Sequence, residues 1–114
     1  MEDKSIFEKI LSGEIPSNII FESNTVFAIH DINPVAPIHI LIIPKKKIAT
    51  MNDIEQEDET LISEIVFTAK KLAEEYKINN TGYRLIWNTN QDALQTVYHI
   101  HLHLIGGKKL NWSF

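Results

Sequence analysis

The chain is 114 residues long, 44% hydrophobic and 23% charged, with four glycines and four prolines; it reads as one ordinary globular domain over residues 1–114, with room for one site. It has no cysteine, which excludes a disulfide framework, a thiolate metal site and a cysteine nucleophile. The net charge of -4 and a single basic cluster, Lys45-Lys46-Lys47, argue against a nucleic-acid partner, whose phosphates need many cations. No membrane association is expected, because the acidic start Met1-Glu2-Asp3-Lys4-Ser5 lacks the order of an export signal and no apolar run approaches the roughly 20 residues of a span. A cytoplasmic location is the expectation.

Ser5-Ile6-Phe7-Glu8 carries a capping box, and Ile6, Phe7, Ile10 and Leu11 give a short helix one apolar face before Gly13 and Pro16 stop it. Two β-branched and aromatic runs, 18–22 and 26–30, flank Ser23-Asn24 and suit a hairpin. Asp31 to Pro37 holds two prolines and reads as an irregular crossover. A third strand is predicted over 38–43, ended by Pro44. Leu61, Ile62, Ile65, Val66, Ala69, Leu72, Ala73 and Tyr76 recur at three- and four-residue spacing, which predicts a long helix over 57–76 lying across a sheet. A turn at 79–82, a fourth strand over 83–87, a polar loop over 89–95 and a fifth strand over 98–105 complete the chain. The expected fold is an α+β single domain: a five-stranded antiparallel sheet, a short N-terminal helix and one long helix packed on the sheet.

His99-Ile100-His101-Leu102-His103-Leu104-Ile105 carries the chemistry. On a strand, alternate side chains share a face, so the three histidines face a site and Ile100, Leu102 and Leu104 face the core. Same-face neighbours stand roughly 6.6 Å apart, and only His101 has an imidazole on either side. Clustered neutral rings orient one another and leave a chosen nitrogen free to attack, as a histidine nucleophile requires. His39 sits in a second apolar run, whereas His30 by itself reads as a half-buried structural histidine. A metal site is the rival reading of such a row. Against it stands the absence of a nearby carboxylate, since Asp92 is the closest acidic residue before the row and none follows it.

These segments resemble the histidine triad family, in the branch of nucleotide-binding proteins that hydrolyse purine nucleoside phosphoramidates. The resemblance rests on the stretch from Tyr98 to Gly107, on the stretch from His30 to His39, on Ile43-Pro44-Lys45-Lys46, on Ile6-Phe7 with Ile10, and on Asn88. It implies that His101 attacks the α-phosphorus and carries a transient nucleotidyl group that water removes. His99, His103 and His39 would orient it and assist proton delivery to the leaving amine. Asn88, the Thr96 hydroxyl and the main-chain amides of Leu94, Gln95 and Thr96, together with His101 and His103, correspond to phosphate-binding positions. Asp31 would hold the ribose, and Ile6, Phe7, Ile10, Ile29 and Ile32 would form the base pocket. For Asp31 a simple turn residue before Pro34 is a rival reading.

The same resemblance implies a homodimer acting on a purine nucleotide or nucleoside phosphoramidate, with no cofactor and no metal. Two departures stand out. The loop Asn90-Gln91-Asp92-Ala93-Leu94 lacks the paired glycines of the family's phosphate loop, so a bulky Leu94 takes a glycine's place. Lys47 stands where histidine is frequent. The tail Trp112-Ser113-Phe114 is similar to one that approaches the partner's site in related dimers. A non-catalytic purine-nucleotide module and a dinucleoside polyphosphate hydrolase are the alternative functions; the transferase branch of the superfamily has glutamine where His103 stands.

Overall fold

A computed structural model describes residues 4–113, so the acidic start at Met1–Asp3 and the final Phe114 lie outside the described residues. Helix α1 (Ile6–Leu11) forms as its capping box predicts: the Ser5 hydroxyl accepts from the Glu8 amide at 3.1 Å, and the Glu8 carboxylate accepts from the Ser5 amide at 2.9 Å. It buries Phe7 and Ile10, and Gly13 follows with φ +84°, a conformation glycine adopts without a Cβ clash.

Five strands, β1 (Ile19–Glu22), β2 (Val26–His30), β3 (Ile38–Pro44), β4 (Tyr83–Ile86) and β5 (Leu102–Gly106), make one antiparallel sheet in the order β1-β2-β3-β5-β4. The Ser23 hydroxyl braces the β1–β2 hairpin by accepting from the Val26 amide at 3.1 Å. One face of the sheet carries Val26, Ala28, Ile40, Ile42, Leu102 and Leu104, packed on Ile65, Ala69 and Leu72 of helix α2 (Glu59–Glu75). The other face carries Phe27, Ile29, Leu41 and Ile43, packed on Phe7 and Ile10 of α1. Burial on both faces explains why the 38–44 run is apolar almost throughout rather than alternating.

Three expectations need correcting. The long helix starts later than predicted, because Gln56–Asp58 form a 3-10 turn in which the buried Asp58 carboxylate accepts from the Glu55 amide and pairs with Lys46 at 2.6 Å. Val66, assigned to the buried stripe, is 46% exposed. The fifth strand begins at Leu102 rather than at Tyr98, since the Ile100 amide leaves the ladder and donates to the Ile48 carbonyl at 2.8 Å. His99 and His101 therefore precede the strand, and only His103 lies on it. Among the described residues, no helix is long and apolar enough to cross a membrane.

Candidate active site

Strand order brings the histidines together. β3 pairs with β5 so that Leu41 opposes His103 and His39 opposes Ile105, which sets the His39 and His103 rings side by side with centroids 5.2 Å apart. The His101 ring follows at 5.1 Å from His103, and Phe7 of α1 places its ring edge-on to His101 at 5.0 Å.

Main-chain partners fix where each neutral ring carries its proton. His101 Nδ1 lies 2.9 Å from the His99 carbonyl, which can only accept, so Nδ1 is protonated and Nε2 is bare. The Val35 amide can only donate, and it points at His39 Nδ1 from 3.2 Å, so the His39 proton sits on Nε2. That nitrogen is 2.9 Å from His103 Nδ1 and 3.3 Å from Asp31 Oδ2. His103 thus accepts at Nδ1 and keeps its own proton on Nε2. Two adjacent rings consequently offer opposite functions: a lone pair on His101 and an N–H on His103.

Burial favours the neutral form of all four rings. Desolvation is the leading cause of the lowered pKa of His39, His99 and His101. His103 is pushed down to about 4 by desolvation first and then by the neighbouring His101 and His39. His99 is the ring the sequence pattern misplaces. It is fully buried, with Nε2 donating to the Pro44 carbonyl at 2.7 Å and Nδ1 2.7 Å from the Ser5 hydroxyl, so it does not share the open face of His101 and His103.

A cavity of about 270 Å³ opens beside His101 and His103. Its apolar lining includes Ile6, Phe7 and Ile32, as expected, and adds Leu41 and Val97; its polar lining includes Asp31, Asn88 and Thr96. Ile10 and Ile29, expected in the base pocket, are buried core residues that do not line it. Alternation from His39 could have found Leu41, but nothing in the sequence pointed to Val97 or to the Val35 amide.

The loop over 89–95, expected to hold phosphate, spends several of its donors within the chain. The Leu94 amide donates to the Gln91 carbonyl at 2.9 Å and the Gln95 amide to the Asn90 carbonyl at 3.0 Å. The buried Gln95 side chain accepts from the Asn90 amide and donates to the carbonyls of Ala49 and Val97. Gln95 is a brace for the loop rather than an open donor. Asn88 and Thr96 both line the cavity. Asp31 does two jobs, with Oδ1 accepting from the Asn33 amide at 2.8 Å as a turn residue would, and Oδ2 facing His39.

The fold also supplies a carboxylate that the linear spacing hid, which corrects the argument from its absence: donor atoms of Asp31, His39 and His103 lie within 4.8 Å of one another. By residue type this set suits a divalent metal. By protonation it does not, because His39 Nε2, the nitrogen facing the other two donors, holds the proton that the Val35 amide assigns to it. One hydrogen-bonding N–H thus faces both His103 Nδ1 and Asp31 Oδ2.

The site is thus an antiparallel five-stranded sheet carrying a cluster of neutral imidazoles, two of them buried and two half-buried beside the cavity. The chain belongs to the HIT domain family, whose model matches residues 12–110. It is similar to the purine nucleoside phosphoramidase of Escherichia coli (strain K12), with 48% identity over 110 residues, 96% of this chain and 92% of that protein. It is 46% identical over 108 residues, 95% of this chain and 96% of the relative, to an uncharacterized HIT-like protein of Buchnera aphidicola subsp. Baizongia pistaciae. Among solved structures, a HIT family hydrolase from Legionella pneumophila Philadelphia 1 superposes with a TM-score of 0.93 at 49% identity, covering 96% of this chain and 97% of that one.

Proposed function

We propose that the protein hydrolyses purine nucleoside 5′-phosphoramidates, or related conjugates of a nucleoside monophosphate, through a nucleotidyl-histidine intermediate. The observation that carries this reading is the pairing of a bare Nε2 on His101 with an N–H on His103 across 5.1 Å between ring centroids. The base would lie against Ile6, Phe7, Ile32, Leu41 and Val97, the ribose hydroxyls on Asp31, and the phosphate against Asn88, Thr96, His101 and His103.

The steps follow from these protonation states. The anionic phosphate raises the depressed pKa of the His39–His103 pair, which takes up a proton as substrate binds. His101 Nε2 attacks phosphorus, the P–N bond breaks, and the pair gives its proton to the departing amine. The positive charge gained by His101 is met by the His99 carbonyl at Nδ1. Water then attacks phosphorus, its proton goes to His103, and the N–P bond breaks to restore His101 and release the nucleotide. The test is turnover of adenosine 5′-phosphoramidate beside diadenosine polyphosphates. Preferential cleavage of the phosphoramidate is expected; cleavage of the polyphosphates alone, or nucleotide binding without turnover, would overturn the reading.

We also infer a homodimer. Phe67 on α2 is 68% exposed beside Val66, and β4, with Tyr83 and Leu85 outward, is an unpaired sheet edge. Light scattering at micromolar concentration should give twice the 13.1 kDa chain mass, and a monomer mass would remove the inference.

A further inference from the structure

We propose that Ser5 is a positioning residue that ties occupancy of the base pocket to the setting of the nucleophile. The inference rests on the site reading above but concerns a residue that this reading leaves idle. Ser5 caps α1, the helix whose Ile6 and Phe7 line the cavity. Its hydroxyl also lies 2.7 Å from Nδ1 of His99, a residue 94 positions away in the chain.

The direction of this bond is determined. The Pro44 carbonyl, 2.7 Å from His99 Nε2, can only accept, so the proton of the neutral ring is on Nε2 and Nδ1 is bare. The Ser5 hydroxyl must therefore donate to Nδ1, while its own lone pair accepts from the Glu8 amide. His99 is held at both ring nitrogens, and its main-chain carbonyl in turn receives the Nδ1 proton of His101. One chain of hydrogen bonds thus runs from the first turn of α1 to the nitrogen that keeps His101 Nε2 bare. Phe7 reinforces it by touching the His99 and His101 rings edge-on, with centroids 5.6 and 5.0 Å away.

A ligand that packs against Ile6 and Phe7 presses on the same helix turn that holds His99. The purine then contributes to the chemical step as well as to binding, because the helix it seats is the one that sets the ring behind the nucleophile.

The test compares Ser5→Ala, Ser5→Gly and Ser5→Thr in the full chain, with substrates that carry adenine or lack a base altogether. Glycine is tolerated at a helix N-cap far better than alanine but has no hydroxyl, whereas threonine keeps both functions. With adenosine 5′-phosphoramidate, kcat should fall about tenfold in both Ser5→Ala and Ser5→Gly, with KM changed less than about twofold, and Ser5→Thr should restore it. The rate advantage of the adenine substrate over ribose 5′-phosphoramidate should shrink in Ser5→Gly. Ring ¹⁵N NMR reads the same connection without turnover. AMP should shift the His99 ring signals in the wild type and in Ser5→Thr, and not in Ser5→Gly. A Ser5→Gly protein with wild-type kcat, an unchanged adenine advantage and an unchanged His99 response to AMP would reduce Ser5 to a helix cap and overturn the proposal. A wild-type protein inactive on phosphoramidates would instead defeat the substrate reading, leaving the NMR response to decide the role of Ser5.

Discussion

His39 Nε2 stands 2.9 Å from His103 Nδ1, and one proton lies between the two rings. A second proton there would set two N–H groups head to head and leave an imidazolium in a partly buried place, and His103 is accordingly held down to about 4, by desolvation first. The folded state therefore resists protonation that the unfolded chain accepts at the ordinary histidine pKa of roughly 6.5. Between those two values the unfolded chain binds more protons, so stability is fully present above about pH 6.5 and is lost as pH falls toward 4. Thermal unfolding from pH 7.5 to 4.5 should show a falling midpoint. The fall should be smaller in His103→Asn, which removes the group with the largest shift; an equal fall would place the acid sensitivity elsewhere.

Replacing His101 with alanine or glycine removes the nitrogen proposed to attack and does not alter the buried Ile100 and Leu102 side chains. Turnover should drop by on the order of 10⁴-fold or more, with AMP affinity within a few-fold of wild type by calorimetry. Rapid quench of the wild type with labelled substrate should trap an acid-labile nucleotidyl adduct that the variant does not form. Because the His39 proton occupies the position a metal would need, EDTA should leave the rate unchanged, and a rate that follows bound metal would contradict the relay.

The architecture was legible because its signals are local and periodic. The Ser5–Glu8 box, the three- and four-residue spacing from Leu61 to Tyr76 and the alternation at Leu102 and Leu104 each report one element, whereas the strand order, with β5 between β3 and β4, departs from their succession. What lay hidden depends on contacts between distant residues. Spacing alone could not show that Ile100 would pair with Ile48 and bury His99, that Asp31 would come within 3.3 Å of His39, or that Gln95 would use its side chain on Ala49 and Val97. The bounds of the cavity lay hidden for a related reason: Ile10 and Ile29 are as apolar as Ile6 and Ile32, and only packing separates core from lining.

Asp31 accepts from the Asn33 amide and faces His39, so replacing it affects more than the proposed ribose contact. Asp31→Ala should weaken binding of ribonucleotides by about 1–2 kcal/mol more than that of the 2′-deoxy analogues, the difference being the hydrogen bond that only the ribose makes. Equal losses for the two sugars would remove Asp31 from the ribose role and leave it as a turn and relay residue.

Leu94 holds φ +64°, the left-handed region, with its side chain 79% exposed. The side chain contributes little packing there, while its Cβ costs conformational energy that glycine avoids. Leu94→Gly should stabilise the fold by about 0.5–1 kcal/mol, read as a higher midpoint in urea at unchanged slope. A destabilised Leu94→Gly protein would mean that this leucine packs against a second chain.

Among the described residues, no lysine or arginine lines the cavity beside His101, and Asp31 adds a carboxylate to it. A phosphoramidate diester-like conjugate brings a single negative charge to phosphorus, whereas the monophosphate left after hydrolysis carries nearly two at neutral pH. In the proposed reaction the charge at phosphorus is met instead by the proton that the His39–His103 pair takes up on binding, so the lining holds no lysine or arginine charge at rest and gains its cation only with the ligand.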